Sequence, residues 1–177
     1  MDAIKLLKNQ HAEVEKLLRE LVEIGPGSVR RRKQAFERAA DLLAVHATLE
    51  EKLFYPAAHV EASEERLLEA LELHLAVKRV IADLMTLDAE DPTYGAKTRL
   101  LADLVLKHQD DEEEGIFPAA ADLLGERRLL EIGREMNELM VDLETSSPRQ
   151  EVPLQIDRAA SLDADSHWQG IIAASGE

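Results

Sequence analysis

The sequence predicts an all-α protein: an up-down-up-down four-helix bundle with an additional C-terminal helix and a tail. Three observations support this fold class. Apolar residues recur at steps of three and four through four long segments, which is the spacing of one face of an α-helix. Short connections containing Gly, Pro and Asp separate these segments. Aromatic residues make up only 3% of the chain, while the helix-favouring Leu, Ala and Glu are abundant.

The bounds of each helix follow from capping residues and helix breakers. Asp2 is placed to cap the first helix, and residues 25–28 (Gly-Pro-Gly-Ser) end it. Pro56 is expected to kink or end the second helix, because proline lacks the backbone N–H that a helix interior uses. A loop at 88–95 precedes the fourth helix, and Gly125 ends it. The predicted helices span residues about 2–24, 28–60, 64–87, 96–124 and 126–144.

The helical pattern lapses after Pro148. Residues 149–177 mix Pro, Asp, Ser and Gly with scattered apolar residues. We expect either a poorly ordered tail or a segment that packs on the bundle, or on a neighbouring chain, through Trp168. The sequence therefore divides into a bundle with its fifth helix, residues 1–145, and a C-terminal tail, residues 146–177.

Charge and composition exclude several classes of protein. The 177 residues carry a formal net charge of -15, with 36 acidic residues against 21 basic ones, which disfavours nucleic acid and anionic membranes as partners. No apolar run is long enough to cross a bilayer and the N-terminus lacks a signal-peptide pattern, so we expect a cytoplasmic protein. The absence of cysteine leaves His, Asp and Glu as the strong metal ligands.

A histidine interrupts the apolar stripe of each of the four bundle helices. In two of these helices a glutamate follows four residues later, which places both side chains on one face, about 40° apart. An unpartnered polar group in a core costs on the order of 1–3 kcal/mol, and an unpartnered carboxylate costs more. Metal ions would remove that cost, so we predict a metal site. Its six predicted ligands are His11, His46, Glu50, His74, His108 and Glu112.

The ligand pattern repeats along the chain. His11 and His74 are 63 residues apart, and His46 and His108 are 62 residues apart. Each half therefore supplies a histidine and then a His-x-x-x-Glu pair, which suits two metals related by a pseudo-twofold axis. If both glutamates bridge, each metal receives two nitrogens and two oxygens, and about two octahedral positions stay open. Histidine with carboxylate favours two iron ions joined by oxide or hydroxide, with manganese or zinc as the less favoured metals.

Three further side chains are candidates of a weaker kind. Tyr55 lies about 140° from Glu50 on an ideal helix, which predicts a packing role. Pro56 could distort this turn, however, and a phenolate suits ferric iron, so ligation by Tyr55 stays an alternative. His59 lies past the proline and off the apolar stripe and is expected at the surface. His167 lies in the tail and is expected to be unrelated to the site.

These motifs resemble those of the hemerythrin-like, histidine–histidine–glutamate (HHE) cation-binding family. The matching segments are residues 8–11 (Lys-Asn-Gln-His), 46–56, 72–74 (Glu-Leu-His) and 108–118. The resemblance covers about residues 1–145, and all six ligand positions are filled. It implies a non-haem di-iron centre inside a four-helix bundle. Family members bind oxygen, nitric oxide or peroxide, or sense iron and oxygen.

Two departures from the oxygen-carrying hemerythrins affect the functional prediction. Those proteins have a second histidine one turn after the third, where this chain has Lys78. Their last carboxylate is an Asp five residues after the last histidine; here the candidates are Glu112 at +4 and Glu113 at +5. We choose Glu112, and Glu50 over Glu51, because position +4 stays on the histidine face. Losing a fifth imidazole opens the second iron, which favours redox turnover of peroxide over reversible oxygen carriage.

Two functions are therefore predicted. The first is a non-haem di-iron protein that binds or turns over a small oxidant, with catalase-like turnover of hydrogen peroxide preferred over binding of O2 or NO. The alternative is a non-catalytic sensor or binding protein for oxygen, nitric oxide or iron. The sequence leaves the enzymatic status and the oligomeric state open. The expected partner is a small ligand, not nucleic acid or a membrane.

Overall fold

The computed structural model describes residues 1–162, and within that range the regular structure is helical. Four long helices form the bundle: α1 (Ala3–Glu23), α2 (Val29–Leu49), α4 (Glu64–Thr86) and α5 (Tyr94–Asp111). α2 continues through a π-helical turn (Glu50–Phe54) into α3 (Tyr55–Ala58), and α5 continues through a second π-helical turn (Glu112–Ile116) into α6 (Phe117–Glu144). A 3-10 helix follows at Pro148–Gln155. The predicted fold class, a helical bundle with an additional C-terminal helix, is confirmed.

The helix ends agree with the sequence signals. Asp2 caps α1, because its carboxylate accepts a hydrogen bond of 2.9 Å from the backbone N–H of Lys5. The predicted second helix is a continuous run of α2, the first π turn and α3. Gly125 has φ 68° and ψ 167°, a left-handed conformation that divides α6 into two arms at the predicted break.

The core consists of two apolar clusters separated by a polar layer. One cluster contains Phe36, Leu43 and Ile81, and the other contains Leu49 and Leu71. On each bundle helix a histidine lies where the chain passes from one cluster to the other. The polar residues therefore form a layer through the middle of the bundle, with apolar packing on both sides.

The fifth helix covers one side of the bundle. α6 packs on α1 and α2, and Ile132 and Met136 in its second arm are fully buried. Gly133 lies so close to the backbone of Met1 and Ala3 that an added Cβ would overlap it, so glycine is needed at this position. The α1–α2 side of the bundle is thus sealed by a helix outside the four-helix core.

The first part of the tail packs on the bundle. The 3-10 helix lies against α2 and α4, and its Val152 is only 2% exposed. Arg149 forms an ion pair with Asp41, and Arg79 Nε donates a hydrogen bond of 3.0 Å to the Ile156 carbonyl. Trp168, through which the tail was predicted to pack, lies outside the described residues. No helix within residues 1–162 has the length and apolar character needed to cross a membrane.

Candidate metal centre

The six predicted ligands lie together in the polar layer between the two apolar clusters. Both glutamates are fully buried, and the four histidines are 3–4% exposed. Their donor atoms form two overlapping groups, and within each group the atoms lie within 4.8 Å of one another. One group is His11, His46, Glu50 and Glu112, and the other is Glu50, His74 and His108.

A π-helical turn begins at each glutamate, and the following proline explains it. Pro56 has no backbone N–H and would clash with a carbonyl one α-helical turn earlier, and Pro118 repeats this situation. The wider turn avoids the clash: the Tyr55 N–H bonds to the Glu50 carbonyl five residues back. A π turn contains one residue more than an α-helical turn, so the side chain five residues after the glutamate returns towards the same face of the helix. The separation of about 140° between Glu50 and Tyr55 applies to a regular α-helix, and the π turn at Glu50–Phe54 replaces that geometry with the distorted turn predicted as the alternative.

Glu50 lies between the histidines of the two halves. Its Oε2 is 3.2 Å from Nε2 of His46, one turn earlier on the same helix, and 3.2 Å from Nε2 of His74 on α4. The Nε2 of His108 lies 3.8 Å from the same oxygen. Because one carboxylate oxygen contacts histidines of both halves, Glu50 is placed as a bridging ligand would be.

Glu112 occupies the matching position in the second half. Its Oε2 lies 3.2 Å from Nε2 of His11 on α1 and 3.3 Å from Nε2 of His108. Donor atoms held about 2.1 Å from one cation at right angles to each other lie about 3.0 Å apart. The nitrogen–oxygen spacings in this layer therefore match the edges of a metal coordination polyhedron.

Hydrogen bonds on the outer side of three histidines assign their tautomers. In each case Nδ1 faces a carboxylate or amide oxygen, so Nδ1 carries the proton and Nε2 presents its lone pair to the centre. This is the tautomer that metal-binding imidazoles use. The three pairs are His11 with Glu113 at 2.9 Å, His46 with Gln10 at 3.0 Å, and His74 with Glu51 at 2.9 Å.

The inward-facing atoms fit a pair of cations. Among the described residues, both oxygens of Glu50, Oε2 of Glu112 and Nε2 of His46 have no hydrogen-bond partner. Nε2 of His74 and Nε2 of His108 lie 2.9 Å apart, a spacing that needs a proton or a cation between their lone pairs. Unpartnered carboxylate oxygens in a core are costly. Cations at this position would bind these lone pairs and remove that cost.

Lysine side chains bind Glu51 and Glu113, the two carboxylates on the outer sides of the ligand histidines. Lys78 Nζ contacts both oxygens of Glu51 at 2.8 Å, and Lys78 is only 7% exposed. Lys8 Nζ lies 3.3 Å from Glu113 Oε2, and both of these side chains are partly exposed. The position at which oxygen-carrying hemerythrins have a histidine is therefore taken by a buried ammonium that binds a carboxylate next to the ligands.

Aromatic rings extend the pseudo-symmetry. Tyr55 stacks on His74 with ring centroids 5.6 Å apart, and Phe117 stacks on His11 at 5.5 Å. The Tyr55 hydroxyl also donates a hydrogen bond of 2.8 Å to Glu112 Oε1. Tyr55 thus positions the carboxylate of Glu112 in addition to packing, and Phe117 has no hydroxyl with which to do the same.

Burial and neighbouring charges shift the titration of the centre. Burial, followed by the negative charge of Glu112, raises the pKa of Glu50 to about 8. Burial also lowers the pKa of His46 and of His108. Neutral imidazole is the form that binds a metal, whereas protonated Glu50 must lose its proton first.

A narrow cavity lies beside the histidines. Its volume is about 20 Å³, enough for one water-sized molecule. Lys78 on α4 and Val152 on the 3-10 helix form part of its wall. The remaining wall consists of three histidines and mostly apolar side chains, among them His46, His74, His108, Leu43, Val77 and Val105.

The remaining sequence candidates lie away from the centre. His59 Nε2 lies 3.4 Å from a Glu64 carboxylate oxygen at the bundle edge, and His59 belongs to neither group of donors. His167 lies outside the described residues. The sequence reasoning missed the outer partners Gln10, Glu51 and Glu113. Their positions in the sequence could have indicated this role, since each of them is next to a predicted ligand in the chain.

Four helices that carry histidine and glutamate donors into one buried layer define a class of protein: a helical bundle with an interior cation site. The chain belongs to the hemerythrin HHE cation binding domain family, whose family model matches residues 2–120. The matched region runs from α1 into the start of α6 and includes all six predicted ligands. The predicted resemblance is therefore confirmed, and the match identifies a cation-binding domain.

The comparison with solved structures agrees with the family match. The chain is similar to a hemerythrin HHE cation binding domain-containing protein from Mycobacterium kansasii, with a TM-score of 0.74 and 24% sequence identity. The similarity covers 93% of this chain and 99% of that chain. At this level of identity it supports the fold alone. The comparison with curated proteins finds no match.

Proposed function

We propose that the protein is a non-haem di-iron protein that turns over hydrogen peroxide in a catalase-like reaction. The observation that carries the proposal is the convergence of six histidine and glutamate donors in a buried layer, with two carboxylates that are fully buried. In this proposal one pair of histidines would hold each metal, and the two carboxylates would be shared between them. The pairs are His11 with His46 and His74 with His108.

The donor set favours iron. Histidine with carboxylate and open positions is typical of non-haem iron, and manganese and zinc are the alternatives. Two glutamates supply two negative charges against four positive charges on two divalent ions. The deficit leaves room for oxide, hydroxide or an anionic ligand at the centre.

The adjoining cavity selects the size of the ligand. At about 20 Å³ it has room for one molecule close to the size of water, which favours a ligand of two to four atoms such as O2, NO or peroxide over larger substrates. Its largely apolar wall excludes bulk water. Lys78 leaves the position of a fifth histidine without an imidazole, which favours an open coordination site on the His74–His108 side.

Side chains around the centre supply charge and orientation for a bound ligand and for the metal-binding residues. A bound pair of irons would provide a two-electron couple, which is sufficient for 2 H2O2 → 2 H2O + O2. Lys78 is part of the cavity wall, and its ammonium is held by Glu51, so it brings a positive charge next to a ligand in the cavity. Tyr55 and Glu51 keep Glu112 and His74 in their orientations.

Metal analysis followed by peroxide addition tests the proposal. The protein as purified, or reconstituted with ferrous iron, should hold two irons per chain and evolve oxygen from peroxide, measured with an oxygen electrode. A His46→Ala variant should lose both properties, and Glu20→Gln, a change at an exposed residue on α1, should retain them. Iron-loaded protein that evolves no oxygen would refute the catalase-like reaction.

One observation favours a sensor as the second candidate. Val152 of the 3-10 helix forms part of the cavity wall, so a ligand in the cavity would touch the first part of the tail. A sensor would couple the ligand to the position of this segment. Hydrogen exchange at residues 148–155 should then change when NO binds to iron-loaded protein. Unchanged exchange would argue against the sensor.

A further inference from the structure

A surface depression leads to the centre from the second half of the bundle. We call it the mouth; its volume is about 310 Å³, and it lies between α4 and the start of the second π turn. Its rim carries the exposed acids Glu69, Asp111 and Glu114. Its walls include two predicted metal ligands, His108 and Glu112, which are buried. The mouth therefore joins exposed carboxylates to the ligands of the centre.

One predicted ligand in the wall of the mouth has an unpartnered nitrogen. His108 Nδ1 is buried and has no hydrogen-bond partner, although Nδ1 of each of the other three ligand histidines has one. His74 carries its proton on Nδ1, so the 2.9 Å pair of Nε2 atoms requires the proton of His108 to lie on Nε2 in the metal-free protein. His108 Nδ1, on the outer edge of the ring, then holds a lone pair that is available to a cation.

The internal repeat identifies the residues that occupy the matching place in the first half of the bundle. At offsets of 63 and 62 residues, the counterparts of Glu69 and Asp111 in the first half are Leu6 and Leu49. Both leucines are buried in the same cluster as Ile132 and Met136 of α6. The fifth helix thus closes the first half at the place where the second half is open and acidic.

The surface next to the mouth is also negatively charged. An adjoining open groove of about 820 Å³ shares Glu69 and Asp111 with the mouth. Two cations oppose these acids: Arg66, in the wall of the mouth, and Lys107, which pairs with Asp111. The acids that the groove adds are Glu61, Glu64, Glu65 and Glu72.

We propose that the mouth is the loading site for the metal centre, where a divalent cation is captured by Glu69, Asp111 and Glu114 before it passes to His108 and Glu112. This inference rests on the proposed metal centre. A negative cleft concentrates cations and raises their association rate, by about 10- to 1,000-fold in known cases. Exposed carboxylates bind hydrated divalent ions weakly, and the buried histidine then replaces water. Within residues 1–162, the matching place in the first half is covered by α6.

The rate of metal uptake tests the loading site. Metal-free protein is mixed with cobalt(II) in a stopped-flow instrument, and the visible absorption that appears when histidine replaces water is recorded. The test variant combines Glu69→Gln, Asp111→Asn and Glu114→Gln. The control combines Glu13→Gln, Glu20→Gln and Glu138→Gln, which change the net charge equally at exposed positions away from the mouth.

The test variant should take up cobalt about 10-fold more slowly than wild type, and the control should change less than about twofold. The rate difference should shrink at high salt, because screening removes steering. Both variants should reach the wild-type stoichiometry at equilibrium. Equal uptake rates in the test and control variants would overturn the loading site while leaving the metal centre intact. A wild-type chain that binds no cobalt at equilibrium would overturn the metal centre and this inference with it.

Discussion

The half formed by α1 and α2 and the half formed by α4 and α5 bring the same donors to the centre at the same spacing, but their surroundings differ. Each half has a histidine, a His-x-x-x-Glu pair, a π turn, an aromatic ring stacked on a histidine, and a proline. In the first half Gln10 bonds to His46, and α6 covers the outer side. In the second half His108 has no such partner.

The two halves share the metal-binding donor residues but differ in the side chains that surround these donors. Donor positions are constrained by coordination geometry, whereas outer partners are constrained only by what packs around each half. The cation between His74 and His108 is therefore expected to be the more exchangeable of the two. It is also next to the cavity, since both of these histidines form part of the cavity wall.

The largest expected effect comes from removing the residue that joins the halves. Glu50→Leu should reduce the bound metal from two ions per chain to none, because Glu50 Oε2 contacts His46 and His74. The metal-free variant should be more stable than metal-free wild type by about 1–3 kcal/mol, because a buried carboxyl group without a hydrogen-bond partner has been removed. Metal analysis and urea unfolding measure the two effects.

The control for this change is Glu20→Leu on the exposed face of α1, which should retain both metals. Two metals bound to Glu50→Leu, or a loss of stability in its metal-free form, would contradict the bridging assignment.

Metal affinity should depend on pH through the proton on Glu50. Burial lowers the pKa of His11 and His74, but their hydrogen bonds to neighbouring glutamates outweigh it and raise the pKa, so these imidazoles change the affinity in the same direction. Because the pKa of Glu50 is raised to about 8, a proton competes with the metals for this carboxylate below that pH. Metal affinity should therefore rise with pH, by at least about 10-fold per pH unit between pH 6 and pH 8, and flatten above. Competition with a chelator at pH 6, 7, 8 and 9 measures it. An affinity independent of pH over this range would show that Glu50 is already ionised.

How much of this asymmetry the sequence predicts depends on the range of the interaction. The spacing of His46 and Glu50 specifies one helix face, so their convergence could be predicted from helical periodicity and the cost of burying polar groups. Pro56 and Pro118 indicated a distortion at each glutamate, but helical periodicity does not specify that the distortion is a π turn. The pairing of His11 with Glu113 joins α1 to the second π turn, and helical periodicity gives no information about contacts between helices.

The same limit applies to the coverage of the bundle. A fifth helix was predicted at residues 126–144, but its stripe does not say which side of the bundle it packs on. Gly133 was the sequence feature that could have indicated this side, since its missing Cβ permits the close approach of α6 to the N-terminus. The division between bundle and tail at residue 145 stays a prediction.

Exchanging the stacked aromatic residues should give an intermediate effect. Tyr55→Phe removes the hydrogen bond to Glu112 and should weaken metal binding about 10-fold, the value of one hydrogen bond to a charged group. Phe117→Tyr should strengthen it, because Glu50 Oε1 has no hydrogen-bond partner and the repeat places this ring at the matching position. Chelator competition measures both variants. Equal affinity in Tyr55→Phe and wild type would mean that the ring acts through packing alone.

The smallest expected effect comes from exchanging the outer partners of His46 and His108. Gln10→Leu should weaken metal binding about fivefold, because a neutral hydrogen bond that orients an imidazole is lost. Leu73, the counterpart of Gln10 in the repeat, lies with His108 in the wall of the mouth. Leu73→Gln should therefore strengthen metal binding about threefold by giving His108 Nδ1 a partner. The double exchange should return the affinity close to that of wild type and make the second-half metal the slower one to leave. Dissociation into excess chelator, followed as two phases, measures the order of release, and an unchanged order would mean that the covering helix, not the hydrogen bond, distinguishes the two halves.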